Sequence, residues 1–393
     1  MAKIGIYGGS FNPPHLGHVA AARTVAESVR PDRLLIVPDN LPPHKELAEE
    51  SPDAESRLSL CRLAFADVPG AEVSDIELRR EGRSYTANTI EELRQLYPND
   101  ELLLVMGSDM FLCFTDWYRF RYLLDECTLV VLSRYEDGDA PLREQRELLQ
   151  REYGARVELI SHTPLEISSS EVREKLRRRL GSDLVPEAVY AEIIRRRWYN
   201  AQAELSWLRE QGISYLDPKR ISHVMGCEYE AMQLAQRWGE DPELAAEAGI
   251  LHDITKRLDV EQQLNLCEKY GILNTADEIA NPQTLHAKTG AALAADLFGV
   301  NEAVRDAIRW HTTGKPDMTL LEKILWLADY IEPTRDFKGV EKARALAYDD
   351  LDAALYEGLR HTVDHLIKKG KQPLKDTAEA AAWYAERIGE RRV

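Results

Sequence analysis

The main constraint on the fold is a change of pattern near residue 200. Before it, short apolar runs alternate with amphipathic stretches of helical length, which include 17–30, 54–67, 86–97 and 186–197. The apolar runs are KIGIY (3–7), RLLIVP (33–38), AEVSDIEL (71–78), ELLLVMG (101–107), TLVVLSR (128–134) and RVELI (156–160). Continuous apolar runs such as LLLV are typical of strands buried on both sides. The alternation therefore predicts an α/β domain built on a parallel sheet with helices on both faces.

Beyond residue 200 the pattern is helical only. Amphipathic stretches, separated by short Gly, Pro or Asp breaks, cover 202–211, 218–238, 242–252, 260–270, 286–298, 301–311, 319–332 and 340–370. This pattern predicts an all-α second domain. We place the two domains at residues 1–199 and 200–393.

Composition narrows the class of protein. The 393 residues carry a formal charge of −17, which argues against nucleic acid as a general partner. No apolar run has the length of about 18 residues that a membrane span needs, and MAKIGIYGGS begins a strand rather than a signal peptide. The five cysteines form no CxxC pair, as expected of reduced thiols. These features predict a cytoplasmic protein without a membrane partner; homo-oligomerisation stays open.

The first candidate site is the segment GGSFNPPHLGH (8–18), which follows the first predicted strand. Two glycines allow the backbone to turn and approach a ligand closely, and Asn-Pro-Pro stiffens the turn. Ligands in open parallel sheets bind beyond the carboxyl ends of strands, where a following helix N-terminus favours an anion. His15 and His18 share one face of that helix. The segment therefore predicts a phosphate-binding loop.

A second segment, ISSSEVR (167–173), places hydroxyls at a helix start with Arg173 one turn later, which also favours an anion. Together the two segments resemble the signatures of the HxGH nucleotidyltransferase superfamily, HxGH and ISSTxIR. The resemblance implies a Rossmann-like domain in which His15, His18 and Arg173 are catalytic. It also implies that ATP is bound by Gly8, Gly9, Ser10, Phe11, His15, His18, Gly107, Asp109, Ile167, Ser168, Ser169, Ser170 and Arg173.

Three further segments resemble bacterial nicotinate mononucleotide adenylyltransferases: PDNLPPHK (38–45), SYTANT (84–89) and GSDMFLCFTDWY (107–118). The resemblance implies transfer of AMP from ATP to nicotinate mononucleotide, with Mg²⁺ bound to the triphosphate. The histidines would stabilise charge, since a phosphate monoester is already a dianion near neutral pH and needs no general base. The mononucleotide would be bound by Asn12, His44, Lys45, Tyr85, Thr86, Thr89, Trp117 and Tyr118. Among these, Trp117 would stack on the pyridine ring.

The helical half contains a second set of candidate ligands. They occur in RISH (220–223), LHDITK (251–256), LHAKTGA (285–291), WHTTG (310–314) and LADYIEPTR (327–335). Inward-facing His and Asp from several helices can converge on metal in a bundle core. Four imidazoles and two carboxylates suit Fe, Mn or Zn and suffice for two ions. The candidate metal ligands are His223, His252, Asp253, His286, His311 and Asp329.

These segments resemble the HD-domain phosphohydrolases, and HDITK, HTTG and LADYIEPTR resemble the bacterial symmetrical diadenosine tetraphosphatases. The resemblance implies two transition-metal ions, with iron first and Mn or Zn as alternatives, bridged by Asp253. It implies that Asp253 and Lys256 are catalytic and that Arg220, Lys256 and Arg335 contact phosphate. The substrate would be a dinucleoside polyphosphate, and diadenosine tetraphosphate would give two ADP.

Two alternatives stay open. The helical half could act on another nucleotide or be a nucleotide-sensing regulatory module, although a binding-only module has no need of two metals. The first half could transfer to pantetheine phosphate or form a cytidylyl product, against which PPHK, SYTANT and Trp117 argue. His361 and His365 have the spacing of a zinc pair, but Thr362 stands where HExxH has Glu, so we interpret them as ordinary helix residues. His162 is unassigned.

Overall fold

The computed structural model describes residues 1–42, 46–133 and 140–390. The chain divides into two compact units, Met1–Gln202 and Ala203–Val393. The functional division at residues 199 and 200 stays a prediction.

The first unit is built on a six-stranded parallel sheet. Its strands are β1 (Lys3–Gly9), β2 (Arg33–Pro38), β3 (Ala71–Val73), β4 (Glu101–Gly107), β5 (Cys127–Ser133) and β6 (Arg156–Ser161). The order across the sheet is β3-β2-β1-β4-β5-β6, and every pair is parallel. The strand order reverses between β1 and β4, which therefore flank the crevice where ligands bind in such sheets.

Helices cover both faces of this sheet. They are α1 (Leu16–Ser28), α2 (Ala54–Ala64), α3 (Thr86–Leu96), α4 (Ser108–Leu112), α5 (Phe120–Glu126), α6 (Ala140–Tyr153), α7 (Ser169–Arg177) and α8 (Glu187–Arg196). Leu102 and Leu104 of β4 pack in one core cluster with Ile90 of α3. The intervening Leu103 and Val105 are buried as well, as expected for a strand that is covered on both faces. The predicted α/β fold is confirmed.

The third predicted strand, 71–78, is too long. The strand β3 ends at Val73, and one further bond joins the Ser74 N–H to the Ile36 carbonyl. The Ser74 hydroxyl then accepts from the Ile76 N–H at 3.4 Å, and the Asp75 carbonyl accepts from the Leu78 N–H at 2.9 Å. Short polar side chains that bond to nearby backbone favour turns, so the Ser-Asp pair ends the strand.

The second unit is helical throughout its described residues. Its helices are α9 (Leu205–Ser214), α10 (Ile221–Trp238), α11 (Pro242–Leu251), α12 (Val260–Lys269), α13 (Ala276–Ala280), α14 (Leu285–Phe298), α15 (Glu302–Trp310), α16 (Leu320–Ile331), α17 (Val340–Asp349), α18 (Leu351–Lys368) and α19 (Lys375–Glu390). The single helix predicted over 340–370 is wrong. Asp350 is extended, and its carboxylate accepts from the Ala353 N–H at 3.0 Å, so it ends α17 and caps α18.

Two findings bear on the composition of the chain. Among the described residues, none of the helices combines the length and apolar character that crossing a membrane requires. All five cysteines lie in described segments, and each is free.

Candidate active sites

The first site lies at the switch point of the sheet. β1 ends at Gly9 and the neighbouring β4 ends at Gly107, so the GGSF and GSD segments meet at the same edge. Gly107 precedes α4 directly, and a Cβ there would lie 3.0 Å from Oδ1 of Asp109. Glycine thus allows the Asp109 carboxylate to fold back toward the strand end.

The two signature histidines stack on each other at the start of α1. Their ring centroids lie 3.7 Å apart at an angle of 30°, and the His15 backbone N–H donates to Nδ1 of His18 at 3.2 Å. Burial lowers the pKa of His15 to about 4, although Glu171 opposes the shift. Within the described chain, Nδ1 of His15 is buried without a hydrogen-bond partner. His15 is therefore neutral at pH 7 in the free protein.

The serine-rich turn at 168–173 converges on the same loop. Ser169 donates through its hydroxyl to the Pro13 carbonyl at 3.1 Å. The Arg173 guanidinium donates to the Asn12 carbonyl at 2.6 Å and to the Ser170 hydroxyl at 3.1 Å. Ser168, the N-cap of α7, accepts from a backbone N–H of its first turn. The structure thus brings together the two segments that the HxGH resemblance joins.

Sequence reasoning missed Arg57, which braces this loop from α2. The side chain is fully buried and donates to the Ser10, Asp39 and Asn40 carbonyls at 2.8, 2.8 and 3.0 Å. It also pairs with the Asp39 carboxylate at 3.0 Å. A signal was available, because Arg57 shares a helix face with the buried Cys61 and Ala64 at spacings of four and seven residues.

The residues predicted to bind the mononucleotide come from several parts of the first unit. Asn12 is buried: its amide nitrogen donates to the Ser51 hydroxyl at 2.7 Å, and its Oδ1 accepts from the Tyr199 hydroxyl at 2.8 Å. Trp117, half-buried, packs against Phe114 with centroids 5.3 Å apart. His44 and Lys45 lie outside the described residues.

The remaining members lie at the start of α3 and in the loop before α5. The Tyr85 and Tyr118 rings lie 4.9 Å apart, and Tyr85 immediately precedes Thr86, the first residue of α3. The buried hydroxyl of Thr89 donates to Glu77 at 2.6 Å and accepts from Arg80 at 2.5 Å, and its role in binding the mononucleotide stays a prediction.

The second site lies in the core of the helical unit. His223 is on α10, His252 and Asp253 follow α11, His286 is on α14, His311 follows α15, and Asp329 is on α16. These helices therefore bring their His and Asp side chains together in one cluster. Ligand atoms of His223, His252 and Asp329 lie within 4.8 Å of one another, as do those of His252, Asp253 and His311.

The imidazoles of this cluster share one orientation. Nδ1 of His252, His286 and His311 lies 2.7, 2.7 and 2.6 Å from the backbone carbonyl three residues earlier. Nδ1 of His223 lies 3.1 Å from a Glu332 oxygen. Since these partners are acceptors, Nδ1 of His252, His286 and His311 carries a proton, which leaves Nε2 as the nitrogen able to bind a metal. His223 has an acceptor at both nitrogens, because its Nε2 lies 3.1 Å from Oδ1 of Asp329.

The lone pairs meet in the centre of the cluster. The Nε2 atoms of His223 and His252 lie 3.4 Å apart, and those of His286 and His311 lie 3.2 Å apart. Oδ1 of Asp253 lies 3.3 Å from His286 Nε2 and 3.8 Å from His311 Nε2, yet forms no well-aligned hydrogen bond within the described chain. Converging lone pairs and an orphaned carboxylate oxygen fit divalent cations.

The charges of this donor set are coupled: burial would lower the pKa of His252, but Cys227 and Asp253 raise it well above its ordinary value. Burial lowers the pKa of His286, and burial with the neighbouring imidazoles lowers that of His311 to about 3, so both are neutral at pH 7. Burial would raise the pKa of Asp253, but His252 and His286 hold it well below its ordinary range. Burial would also raise the pKa of Asp329, but its hydrogen bond to His223 together with His252 and Arg335 holds that pKa well below its ordinary range.

Three cations border the cluster. The Arg220 guanidinium pairs with Asp253, and Arg335 donates to Oδ1 of Asp329 at 2.6 Å. Lys256 Nζ lies 3.0 Å from Nε2 of His286, and burial lowers the pKa of the lysine. All three residues predicted to contact phosphate therefore adjoin the candidate metal ligands.

Sequence reasoning missed Glu332, which orients His223. Its fully buried carboxylate faces His223 Nδ1 and accepts from the backbone N–H and the hydroxyl of Thr334, both at 2.6 Å. A Cβ at Gly226 would lie 2.5 Å from its Oε2, so this position of α10 leaves room for the carboxylate. The only signal was an acidic residue directly after α16.

The unassigned histidines lie elsewhere. His361 and His365 are exposed on α18, and Nδ1 of His361 contacts the Tyr330 hydroxyl at 2.8 Å. His162 follows β6, and its Nδ1 contacts the Thr24 hydroxyl at 2.9 Å. None of the three belongs to the candidate metal-binding groups of the described residues.

With this geometry in view, comparison with known proteins defines the class of each half. Residues 6–175 match the cytidylyltransferase-like family, and residues 220–334 match the HD domain. The chain is thus a nucleotidyltransferase joined to an HD-type hydrolase. A solved HD superfamily hydrolase from Clostridium acetobutylicum, described as involved in NAD metabolism, is similar: identity is 37%, coverage is 48% of this chain and 100% of that one, and the TM-score is 0.46.

Two curated relatives narrow the class. A probable nicotinate-nucleotide adenylyltransferase of Carboxydothermus hydrogenoformans is 38% identical over 199 residues, which are 50% of this chain and 98% of the relative. A symmetrical bis(5'-nucleosyl)-tetraphosphatase of Bacillus subtilis is 37% identical over 186 residues, 47% of this chain and 97% of the relative. The chain belongs to the nicotinate-nucleotide adenylyltransferase family over its N-terminal half and to the symmetrical bis(5'-nucleosyl)-tetraphosphatase family over its C-terminal half.

Proposed function

We propose that the N-terminal half transfers AMP from ATP to nicotinate mononucleotide, forming nicotinate adenine dinucleotide and pyrophosphate. The observation that carries this proposal is the convergence of the His15–His18 stack with Ser169 and Arg173 at the switch point of the sheet. Hydroxyls, a guanidinium, imidazoles and a helix N-terminus together form an environment for a polyphosphate. The family of this half supports the choice of acceptor.

In this reaction a phosphate oxygen of the mononucleotide forms a bond to the α-phosphorus of ATP, and the bond from that phosphorus to the bridging oxygen breaks. The electron pair leaves with pyrophosphate. The attacking phosphate is a dianion near neutral pH, so no residue needs to accept a proton. Neutral His15 and its neighbour His18 donate N–H groups to the developing charge, and Arg173 orients the triphosphate.

Magnesium enters this site with the triphosphate. The candidate metal-binding groups of the described residues all lie in the helical half, so the first site offers no comparable ligand cluster. This fits Mg²⁺, which is commonly held by substrate phosphates and water with few protein ligands. Mg²⁺ supplies charge neutralisation on the phosphates.

The test is release of pyrophosphate from ATP that depends on nicotinate mononucleotide and Mg²⁺. His18→Asn should reduce it by at least about 100-fold, within the range of lost charge stabilisation. Hydrolysis by the C-terminal half of the same preparation is the folding control. The proposal fails if folded wild-type protein releases no pyrophosphate, or releases it only with pantetheine phosphate as acceptor.

We further propose that the C-terminal half hydrolyses diadenosine tetraphosphate symmetrically to two ADP. The observation that carries this proposal is the set of four imidazole Nε2 atoms and two carboxylates that converge beside three cations. Water oxygen would bond to one of the two central phosphorus atoms as the bond to the central bridging oxygen breaks. Both products are ADP, and Arg220, Lys256 and Arg335 would bind the phosphates.

The donor set fits two transition-metal ions. His223, His252, Asp253 and Asp329 would hold one, and Asp253 with His286 and His311 the other. Iron is our first assignment, with Mn and Zn as alternatives, since imidazole and carboxylate suit all three. Bound metal would supply Lewis acidity and lower the pKa of a bound water. The chain's own contribution is to hold the rings in one tautomer and to keep the cations near the phosphates.

The test is the product pattern from diadenosine tetraphosphate. ADP as the only nucleotide product supports the proposal, whereas AMP with ATP would refute symmetrical cleavage. His252→Asn should abolish hydrolysis and lower bound metal, and His365→Asn, exposed on α18, is the matched control. A protein that binds the dinucleotide without turnover, with metal present, would favour the sensor alternative.

A further inference from the structure

A cavity of 220 Å³ opens beside the candidate metal centre in the helical unit. One part of its lining is polar and includes Lys256, Asp329 and Arg335. The other part is aromatic: Trp326, Tyr330 and Phe337. Phosphate binding explains the polar part of the lining, but the aromatic part has no role in metal binding, phosphate binding or attack by water.

The three aromatic side chains form one continuous wall. The Trp326 and Tyr330 rings stack with centroids 5.3 Å apart at 29°, and those of Tyr330 and Phe337 lie 4.9 Å apart at 45°. Trp326, Asp329 and Tyr330 share a face of α16 at spacings of three and four residues. The wall and a candidate metal ligand are therefore held next to each other by the same helix.

The wall contains an unsatisfied donor. The Trp326 residue is only 4% exposed, and its Nε1 has no hydrogen-bond partner among the described residues. A buried indole N–H normally finds an acceptor. The position of the ring is also built into the packing, since a Cβ at Gly358 would lie 2.7 Å from it. Packing against α18 thus fixes the position of the Trp326 ring in the lining of the cavity.

We propose that the aromatic wall of Trp326, Tyr330 and Phe337 binds one nucleobase of the substrate, an inference that rests on the proposed hydrolysis of a dinucleoside polyphosphate. Aromatic side chains commonly bind bases by stacking. A cavity of 220 Å³ is smaller than the about 300 Å³ at which pockets for drug-sized ligands begin, so it suits one base rather than two nucleosides. Lys256 and Arg335 then receive the phosphates of that nucleotide.

The alternative is that the aromatic rings only pack α16 against α18. Phe337 also stacks on His361 of α18, with centroids 5.7 Å apart at 17°, which such packing would explain. Packing alone would not require Tyr330 and Phe337 to stay partly exposed at a cavity that also adjoins Asp329 and Lys256. These observations favour the ligand.

The experiment compares a substrate that has bases with one that lacks them. In metal-loaded full-length protein, Phe337→Leu removes the ring but keeps apolar volume, Phe337→Tyr keeps the ring, and Tyr229→Ala removes an exposed ring of α10 outside the cavity. For Phe337→Leu we expect the KM for diadenosine tetraphosphate to rise about 10- to 100-fold, the range of one lost base stack. The KM for inorganic tetraphosphate should stay within twofold, and the other two variants should resemble the wild type.

Titration with ADP and with pyrophosphate separates this proposal from the hydrolytic one. Binding of ADP or pyrophosphate at the N-terminal site should be the same in the wild type and in Phe337→Leu, so the difference between the two proteins reports the C-terminal site. Selective loss of an ADP site supports the base site even if the wild type hydrolyses no dinucleotide, in which case only the proposed hydrolysis fails. Equal weakening of ADP and pyrophosphate, or no change in either, overturns the base site.

Discussion

Replacing Glu332 by Gln tests whether a residue outside the ligand set controls the metal centre. One carboxylate oxygen faces His223 Nδ1 and accepts from the Thr334 hydroxyl, and the other accepts from the Thr334 N–H. An amide replaces one of these acceptors by a donor. In one orientation the new NH₂ group faces the N–H of His223, and in the other it faces the backbone N–H of Thr334, so two donors meet in either case.

The size of the effect follows from that conflict. Loss of a partner that orients a ligating histidine typically costs about 10- to 100-fold in metal affinity. Loss of a hydrogen bond to a charged group costs about 1.5–3 kcal/mol of folding stability. We therefore expect Glu332→Gln to lower affinity for Mn²⁺, used as the probe, by that factor and to lower the free energy of unfolding modestly.

Glu322→Gln is the matched control, because Glu322 lies in the first turn of α16 and Glu332 directly follows that helix. Glu322 is 1% exposed and Glu332 fully buried. Glu322 accepts from the Thr319 N–H at 2.7 Å and pairs with Lys315 at 3.1 Å, but it contacts no candidate metal ligand in the described residues. Competition dialysis measures Mn²⁺ affinity, and denaturant unfolding measures stability. The reasoning is refuted if Glu332→Gln binds Mn²⁺ as tightly as Glu322→Gln.

Three further predictions follow from other parts of the structure. Gly226→Ala should lower Mn²⁺ affinity as Glu332→Gln does, because its Cβ would lie 2.5 Å from Glu332 Oε2; dialysis checks this, and unchanged affinity would contradict it. The pKa of His15 is about 4 when folded, below its ordinary value, so stability is complete above about pH 6.5 and falls as pH drops toward 4. His15→Gln should remove about 3 kcal/mol of that pH dependence, measured by denaturant unfolding across the range. After chelation and return of Mg²⁺ alone, pyrophosphate release should recover fully while dinucleotide hydrolysis should not; recovery of both would mean that Mg²⁺ suffices for the second site.

The sequence predicts most of the fold because its signals are local. Six apolar runs alternating with helical stretches imply a parallel sheet, so the order of elements is sufficient to predict this fold class. The errors occur where a side chain competes for the backbone. Ser74 shortens the third strand, and Asp350 divides the long C-terminal helix. Both residues have ordinary spacing, so periodicity alone does not detect them.

The candidate ligands were predictable because four His and two Asp occur in short, separate segments of predicted helices, an arrangement that can converge in a bundle core. Their supporting residues were not, since support depends on contacts distant in the chain. Glu332 reaches His223 across 109 residues, and Arg57 reaches Asp39 across 18. The hydrogen bond from the Thr89 hydroxyl to Glu77, 12 residues away, is a further contact that the sequence pattern does not reveal. Spacing indicates which helix carries a group but not which long-range partner it meets.

The backbone anchoring of three imidazoles has a consequence for metal exchange. Their Nδ1 atoms lie 2.6–2.7 Å from backbone carbonyls three residues earlier in the chain, so the rings are oriented by the backbone rather than by each other. The orientation of these rings is therefore set when the polypeptide folds. Binding of an ion should then cost little conformational entropy of the imidazole side chains. Replacing one divalent ion by another should not move the helices. The rate of the proposed hydrolysis can therefore depend on the metal, while the fold of the helical unit should not.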